Sequence, residues 1–85
     1  MGEMGNKEIF KKVVEIITKQ LEVNVQIEES TAVVDDLGAD SLEVIELIMT
    51  MEEEFAIKIE EDEASKLKTV GDIVNAIATK LKQNG

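Results

Sequence analysis

The sequence predicts an all-α fold, a four-helix bundle with a short third helix and a long loop between the first two. Three observations predict it. The 85 residues contain no proline, the commonest helix breaker. Apolar residues recur at the i, i+3, i+4 spacing of one helical face in three separate stretches. Candidate caps stand in front of the second and last of these stretches. The length allows one domain, residues 1–85. Its ends, 1–6 and 83–85, read as frayed.

The first helix is read from Lys7, with Ile9, Phe10, Val13, Val14, Ile17 and Leu21 on one face and Lys11, Lys12 and Lys19 on or near the other. Residues 22–39 are less regular. Leu21, Val23, Val25 and Ile27 alternate, as do Phe55, Ile57 and Ile59, so a two-stranded pairing is conceivable. Two isolated strands are only marginally stable, and a loop pinned by apolar side chains is preferred.

The second helix begins near Asp40 and runs to about Phe55. Asp40 caps it, with Glu43 three residues on completing a capping box. Val44, Leu47, Ile48, Met51 and Phe55 form its inward stripe. Leu42, Ile45 and Met49 lie on a neighbouring face, making the helix apolar over a wider arc than burial requires. That second stripe reads either as ordinary core or as a contact surface. Residues 61–67 form a short third helix offering Ala64 and Leu67 to the core. Thr69 caps the last helix with Asp72 at the box position. Its stripe is Val70, Ile73, Val74, Ile77, Ala78 and Leu81, with Lys80 and Lys82 near its negative end.

Composition excludes several functions. Without Cys, there is no disulfide framework, Cys-based zinc site or thiol nucleophile. Without His, the usual general base near neutral pH is missing. If thiol chemistry occurs here, the thiol must be imported. A net charge of −10 argues against nucleic acid and anionic membranes, and favours partners with basic patches. No apolar run approaches spanning length, and the start lacks a secretory signal's apolar stretch. The expectation is a cytoplasmic monomer, or a plastid-type organelle protein if a transit peptide has been removed.

The informative stretch is Asp36-Leu37-Gly38-Ala39-Asp40-Ser41-Leu42, followed by Glu43, Glu46 and Leu47. It describes a glycine-containing turn that delivers a hydroxyl to the start of a helix. An anion on that oxygen would face unsatisfied N–H groups and the positive end of the helix dipole. The carboxylates of Asp35, Asp36, Asp40, Glu43, Glu46, Glu52 and Glu53 surround or follow it. Taken alone, Ser41 reads as a common helix-start residue, and any one of these glutamates as a solvated side chain. The spacing of Asp36, Gly38 and Asp40 does not fit an EF-hand loop, whose glycine is sixth and glutamate twelfth. No resident metal is expected, although the acidic cluster is compatible with weak divalent-ion binding.

The run as a whole resembles the acyl carrier protein family. Asp40-Ser41-Leu42 is similar to the family's Asp-Ser-Leu motif. Glu46-Leu47-Ile48-Met49 and Glu52-Glu53-Glu54-Phe55 resemble the rest of its second helix, Asp62-Glu63-Ala64 its third, and Lys68-Thr69-Val70 its entry into the fourth. The likeness covers about residues 9–81 and is specific from 35 to 70. Three positions depart from it. Glu60 stands where many bacterial relatives have proline, Ala56 replaces a common acidic residue, and Val33 stands where Phe is frequent. These bear on the shape of the acyl-binding interior.

The resemblance implies a non-catalytic carrier of acyl intermediates in fatty acid biosynthesis. A holo-synthase (a phosphopantetheinyl transferase) would move 4′-phosphopantetheine from coenzyme A to the Ser41 hydroxyl, flanked by Asp40 and Leu42. Acyl chains would ride on the arm's thiol as thioesters, and the bundle's Ile, Val and Met lining could shelter them. Synthesis enzymes with basic docking patches would meet Glu43, Glu46, Glu53 and Glu61, with Ile45, Met49 and Leu42 adding a small apolar contact. Two alternatives stay open: a D-alanyl, polyketide or peptidyl carrier, and an unmodified acidic adaptor for basic proteins.

Overall fold

The computed structural model describes residues 5–84, with side chains to residue 82. It contains α1 (Asn6–Leu21), α2 (Ser41–Phe55), α3 (Glu61–Ala64) and α4 (Val70–Asn84). Among the described residues there is no strand, only an isolated bridge between Ala32 and Thr69. The core is aliphatic. Ile9, Val13, Ile16 and Ile17 of α1 pack with Leu47, Ile48, Met51 and Phe55 of α2 and with Val70, Ile73, Val74 and Ile77 of α4. Each such side chain contributes about 1.5–3 kcal/mol on leaving water, so the helical spacing itself assembles the bundle. No polar or charged side chain is buried among the described residues.

The alternating residues resolve as loop. Ile27, Val33, Ile57 and Ile59 are buried, yet they reach the core as single anchors from irregular chain. Val25 stays exposed, which breaks the alternation that a strand would need.

Side-chain caps recur at the helix starts. An acidic residue three positions on accepts the N–H of the capping residue in each case: Glu8 from Gly5 at 3.2 Å, Glu43 from Asp40 at 3.0 Å, Glu63 from Glu60 at 3.1 Å, and Asp72 from Thr69 at 3.1 Å. The first of these lies inside the stretch expected to fray. Gly5 caps α1 and Asn6 is helical, because that bond and the Ile9 N–H bond to the Gly5 carbonyl at 3.0 Å fix the turn. Residues 1–4 and 85, also expected to fray, lie outside the described residues, and α4 continues to Asn84.

The third helix is shorter than the span 61–67. It ends at Ala64, where the Ser65 hydroxyl donates to the Asp62 carbonyl at 2.8 Å. The chain then tightens, Lys66 N–H bonding to the Glu63 carbonyl and Leu67 N–H to that of Ala64, both at 3.1 Å. Lys80 leaves the negative end of α4 to pair with Glu63 at 2.9 Å, tying α3 to α4; Lys82 remains in the last turn.

The long loop folds back onto the start of α4. Thr31 and Glu29 carbonyls accept the N–H groups of Val70 and Gly71 at 2.9 and 2.8 Å. Gly71 permits this approach, since a Cβ there would stand 3.0 Å from the Glu29 oxygen. The loop then turns toward α2 through Gly38, whose φ of 76° lies in the left-handed region that glycine enters freely.

Candidate functional site

The turn before α2 is held by its own backbone. Asp36 N–H and Leu37 N–H both donate to the Ala32 carbonyl, at 2.8 and 3.2 Å, and Gly38 N–H to Val34 at 3.0 Å. Asp36 closes the turn, its Oδ2 accepting the Ala32 N–H at 2.8 Å. Ala39, buried, then fixes the chain against the core before Asp40 opens the helix. A short rigid path thus sets where the next residue points.

That residue is Ser41, the first of α2, with an exposed side chain. Asp40 Oδ1 accepts the Glu43 N–H at 2.8 Å and the Asp40 carbonyl takes that of Val44 at 3.0 Å. The N–H groups of Ser41 and Leu42 meet no acceptor among the described residues, so the helix's partial positive charge stays open to an anion. Ser41 does not do the capping, because Asp40 does. Its hydroxyl enters none of the described hydrogen bonds, whereas that of Ser65 is engaged with Asp62.

A groove of about 600 Å³ begins at Ser41 and Asp40 and runs between α2 and α3, past Ala32, Val34, Val44, Ile45, Ala64 and Leu67. It shares Val44, Ile45, Ala64 and Ser65 with a second hollow of about 520 Å³ that reaches Ile48, Met49 and Ile59. The walls are mainly aliphatic. A hydroxyl at one end of an apolar furrow suits a polar attachment with a greasy extension.

The other expected site residues divide. Leu42, Ile45 and Met49 are 64%, 55% and 55% exposed, so they form a surface stripe and not core. Glu46 and Glu53 are exposed along α2 beside them. Glu61 opens α3 and lines the second hollow, facing Ile45 and Met49 across it. Glu43 is half-buried and commits one oxygen to the capping box. Besides Asp40 and Glu43 in that box, two acids of the sequence cluster are structural: Asp36 closes its turn, and Glu52 Oε2 holds the Ile59 N–H at 2.7 Å. Those left facing water along α2 are Glu46 and Glu53. No local pattern marks Ala32, Val34 and Lys68 as groove walls, since they come from the loop and the chain before α4.

The perturbed carboxylates lie elsewhere. The Lys80 ammonium, then the Glu60 N–H, hold Glu63 below its ordinary value. The Thr69 and Lys68 N–H groups hold Asp72 below its own. Both stabilise helix starts. Among the described residues, no three acidic side chains stand close enough to hold a metal ion.

Residues 11–77 match the family model described as a phosphopantetheine attachment site. The chain is 49% identical over 72 residues to an acyl carrier protein of Wolinella succinogenes, covering 84% of this chain and 95% of that one. The chain belongs to the acyl carrier protein family. A second relative, the acyl carrier protein of Clostridium acetobutylicum, is 49% identical over 70 residues, 81% of this chain and 91% of its own. The crystal structure of an acyl carrier protein from Thermotoga maritima superimposes with a TM-score of 0.85 at 32% identity, covering 100% of both chains.

Acyl carrier proteins are non-catalytic carriers of acyl chains that work with synthesis enzymes, and they bear covalently attached 4′-phosphopantetheine. The arrangement here fits that group. It offers an unengaged exposed hydroxyl, open N–H groups beside it, and an apolar furrow leading away. Among the described residues no helix is long and apolar enough to cross a membrane.

Proposed function

We propose that Ser41 is the attachment residue and that this chain carries acyl intermediates in fatty acid biosynthesis. The observation that carries the reading is the exposed Ser41 hydroxyl at the open start of α2, at the mouth of the aliphatic groove. Asp40 caps the helix and so frees the serine for modification. A holo-synthase would supply the base that a chain without His or Cys lacks; the Ser41 oxygen would take the phosphopantetheinyl group as the pyrophosphate bond of coenzyme A breaks and adenosine 3′,5′-bisphosphate leaves. When bound, the group supplies the thiol on which acyl chains ride as thioesters. The N–H groups of Ser41 and Leu42 stabilise the anion next to them. Val44, Ile45, Ala64 and Leu67 exclude water from a chain lying between α2 and α3.

Partners dock on the exposed face of α2. Glu43, Glu46 and Glu53, with Glu61 on α3, attract basic patches and speed encounter. Leu42, Ile45 and Met49 add the small apolar contact beside Ser41. A surface of this kind binds weakly and releases readily, as a protein visiting several enzymes in the cytoplasm requires.

Incubation with coenzyme A and a holo-synthase tests the reading by intact mass. One phosphopantetheinyl group is expected on the parent and none on Ser41→Ala. Retention of the unmodified mass by the parent would sink the proposal in favour of an acidic adaptor.

A further inference from the structure

Lys68 supplies a positive charge to the groove that opens at Ser41. The other ionisable side chains lining that groove are Asp35 and Asp40. Its backbone is held from two sides, the N–H donating to Asp72 Oδ2 at 3.1 Å and the carbonyl accepting the Val33 N–H at 3.0 Å. The root of the side chain is therefore fixed where the loop crosses the start of α4. Its ammonium pairs with no carboxylate: the ion pairs among the described residues are Lys12 with Glu54 and Lys80 with Glu63. Lys66, two positions earlier, differs in that its charge acts on Glu63. What sets Lys68 apart is its place: among the residues lining the groove that holds Ser41, it alone carries a positive charge.

We propose that Lys68 holds the phosphodiester borne on Ser41 and so positions the arm along the groove. The inference rests on Ser41 being the attachment residue. A phosphodiester there adds a full negative charge close to Asp35 and Asp40. The open N–H groups of α2 offset part of it; Lys68 offsets the remainder from the wall shared with Ala32 and Leu67. An ammonium suits this task because it is a compact point charge on a flexible stem and needs no fixed fork geometry. Without it, repulsion from the aspartates favours an arm extended into solvent. Contact between exposed charges of this kind weakens with salt.

The test uses the parent and the variants Lys68→Gln, Lys68→Arg and Lys58→Gln, each modified with coenzyme A and a holo-synthase and checked by intact mass. Lys58 is exposed and lines neither hollow, so it controls for loss of one positive charge. Lys68 is exposed, and its two backbone hydrogen bonds survive substitution, so the unmodified variants are expected to melt with the parent. Phosphorus NMR of the modified proteins is then compared at low and high sodium chloride. The parent, Lys68→Arg and Lys58→Gln should share one diester resonance at low salt, displaced from that of Lys68→Gln. High salt should move the first three toward the Lys68→Gln position. Coincident resonances in the parent and Lys68→Gln overturn the contact while leaving the attachment intact. Failure of Lys68→Arg to restore the parent signal also overturns it. A parent that gains no mass overturns the attachment and the contact together.

Discussion

At the start of α4, Thr31 and Glu29 carbonyls take the N–H groups of Val70 and Gly71, and Thr69 with Asp72 closes the capping box. At the start of α2, Asp40 and Glu43 build the same box, but nothing among the described residues meets the N–H groups of Ser41 and Leu42. Both ends carry the same partial charge. One is spent on holding a loop in place and the other is left available. The contrast separates structure from function more sharply than residue type does, because each end has a side-chain oxygen at its cap and an acid three positions on. What differs is whether the chain covers its own donors.

Substitutions at the two ends should therefore behave oppositely, and the largest effect belongs to the covered one. Gly71→Val places a branched side chain where even a Cβ stands 3.0 Å from the Glu29 oxygen. Loss of about 1–3 kcal/mol by chemical denaturation is expected as the loop is pushed off α4. Unchanged stability would mean that the loop yields freely and that the covering is incidental. Thr69→Ala removes the hydroxyl that accepts the Asp72 N–H at 3.1 Å and should cost about 1 kcal/mol.

Acid titration sharpens the same contrast. Asp72 is held below its ordinary value of 3.8 chiefly by the Thr69 N–H, then by that of Lys68. A depressed carboxylate contributes its stability fully above the ordinary value and loses it as pH falls through the folded one. The melting temperature gap between the parent and Asp72→Asn should thus be present at neutral pH and shrink below pH 3.8. Glu63, lowered from 4.5 mainly by Lys80, weakens parent and variant alike in acid and so leaves that gap to Asp72. A gap that widens in acid contradicts this account of the α4 cap. The smallest effect is expected at the open end: Ser41→Ala should change stability by less than about 0.5 kcal/mol, because the side chain is exposed and Asp40 holds the cap.

Much of this was legible in the residues. The stripes of α1, α2 and α4 and the two capping boxes are local patterns, and local patterns set local structure. The stretch from Asp36 to Leu42 marked the turn, the cap and the serine together. The position of the long loop was not legible, since carbonyls carry no side-chain signature and their partners lie about 40 residues away in sequence (Glu29 and Gly71). The same reason hid Lys68, which reaches the groove only because the loop and α3 are folded beside it. The acids show the reverse limit: a run of like residues concealed that Asp36 and Glu52 hold backbone while Glu46 and Glu53 face water.

If the uncovered helix start receives the prosthetic group, as proposed, peptide mass mapping of the modified protein locates it there. After modification, proteolysis should place all of the added mass on the fragment containing Ser41. Ser65 borders the same groove and Ser30 lies in the loop over α4, so both compete by position. Added mass on either fragment would contradict the account.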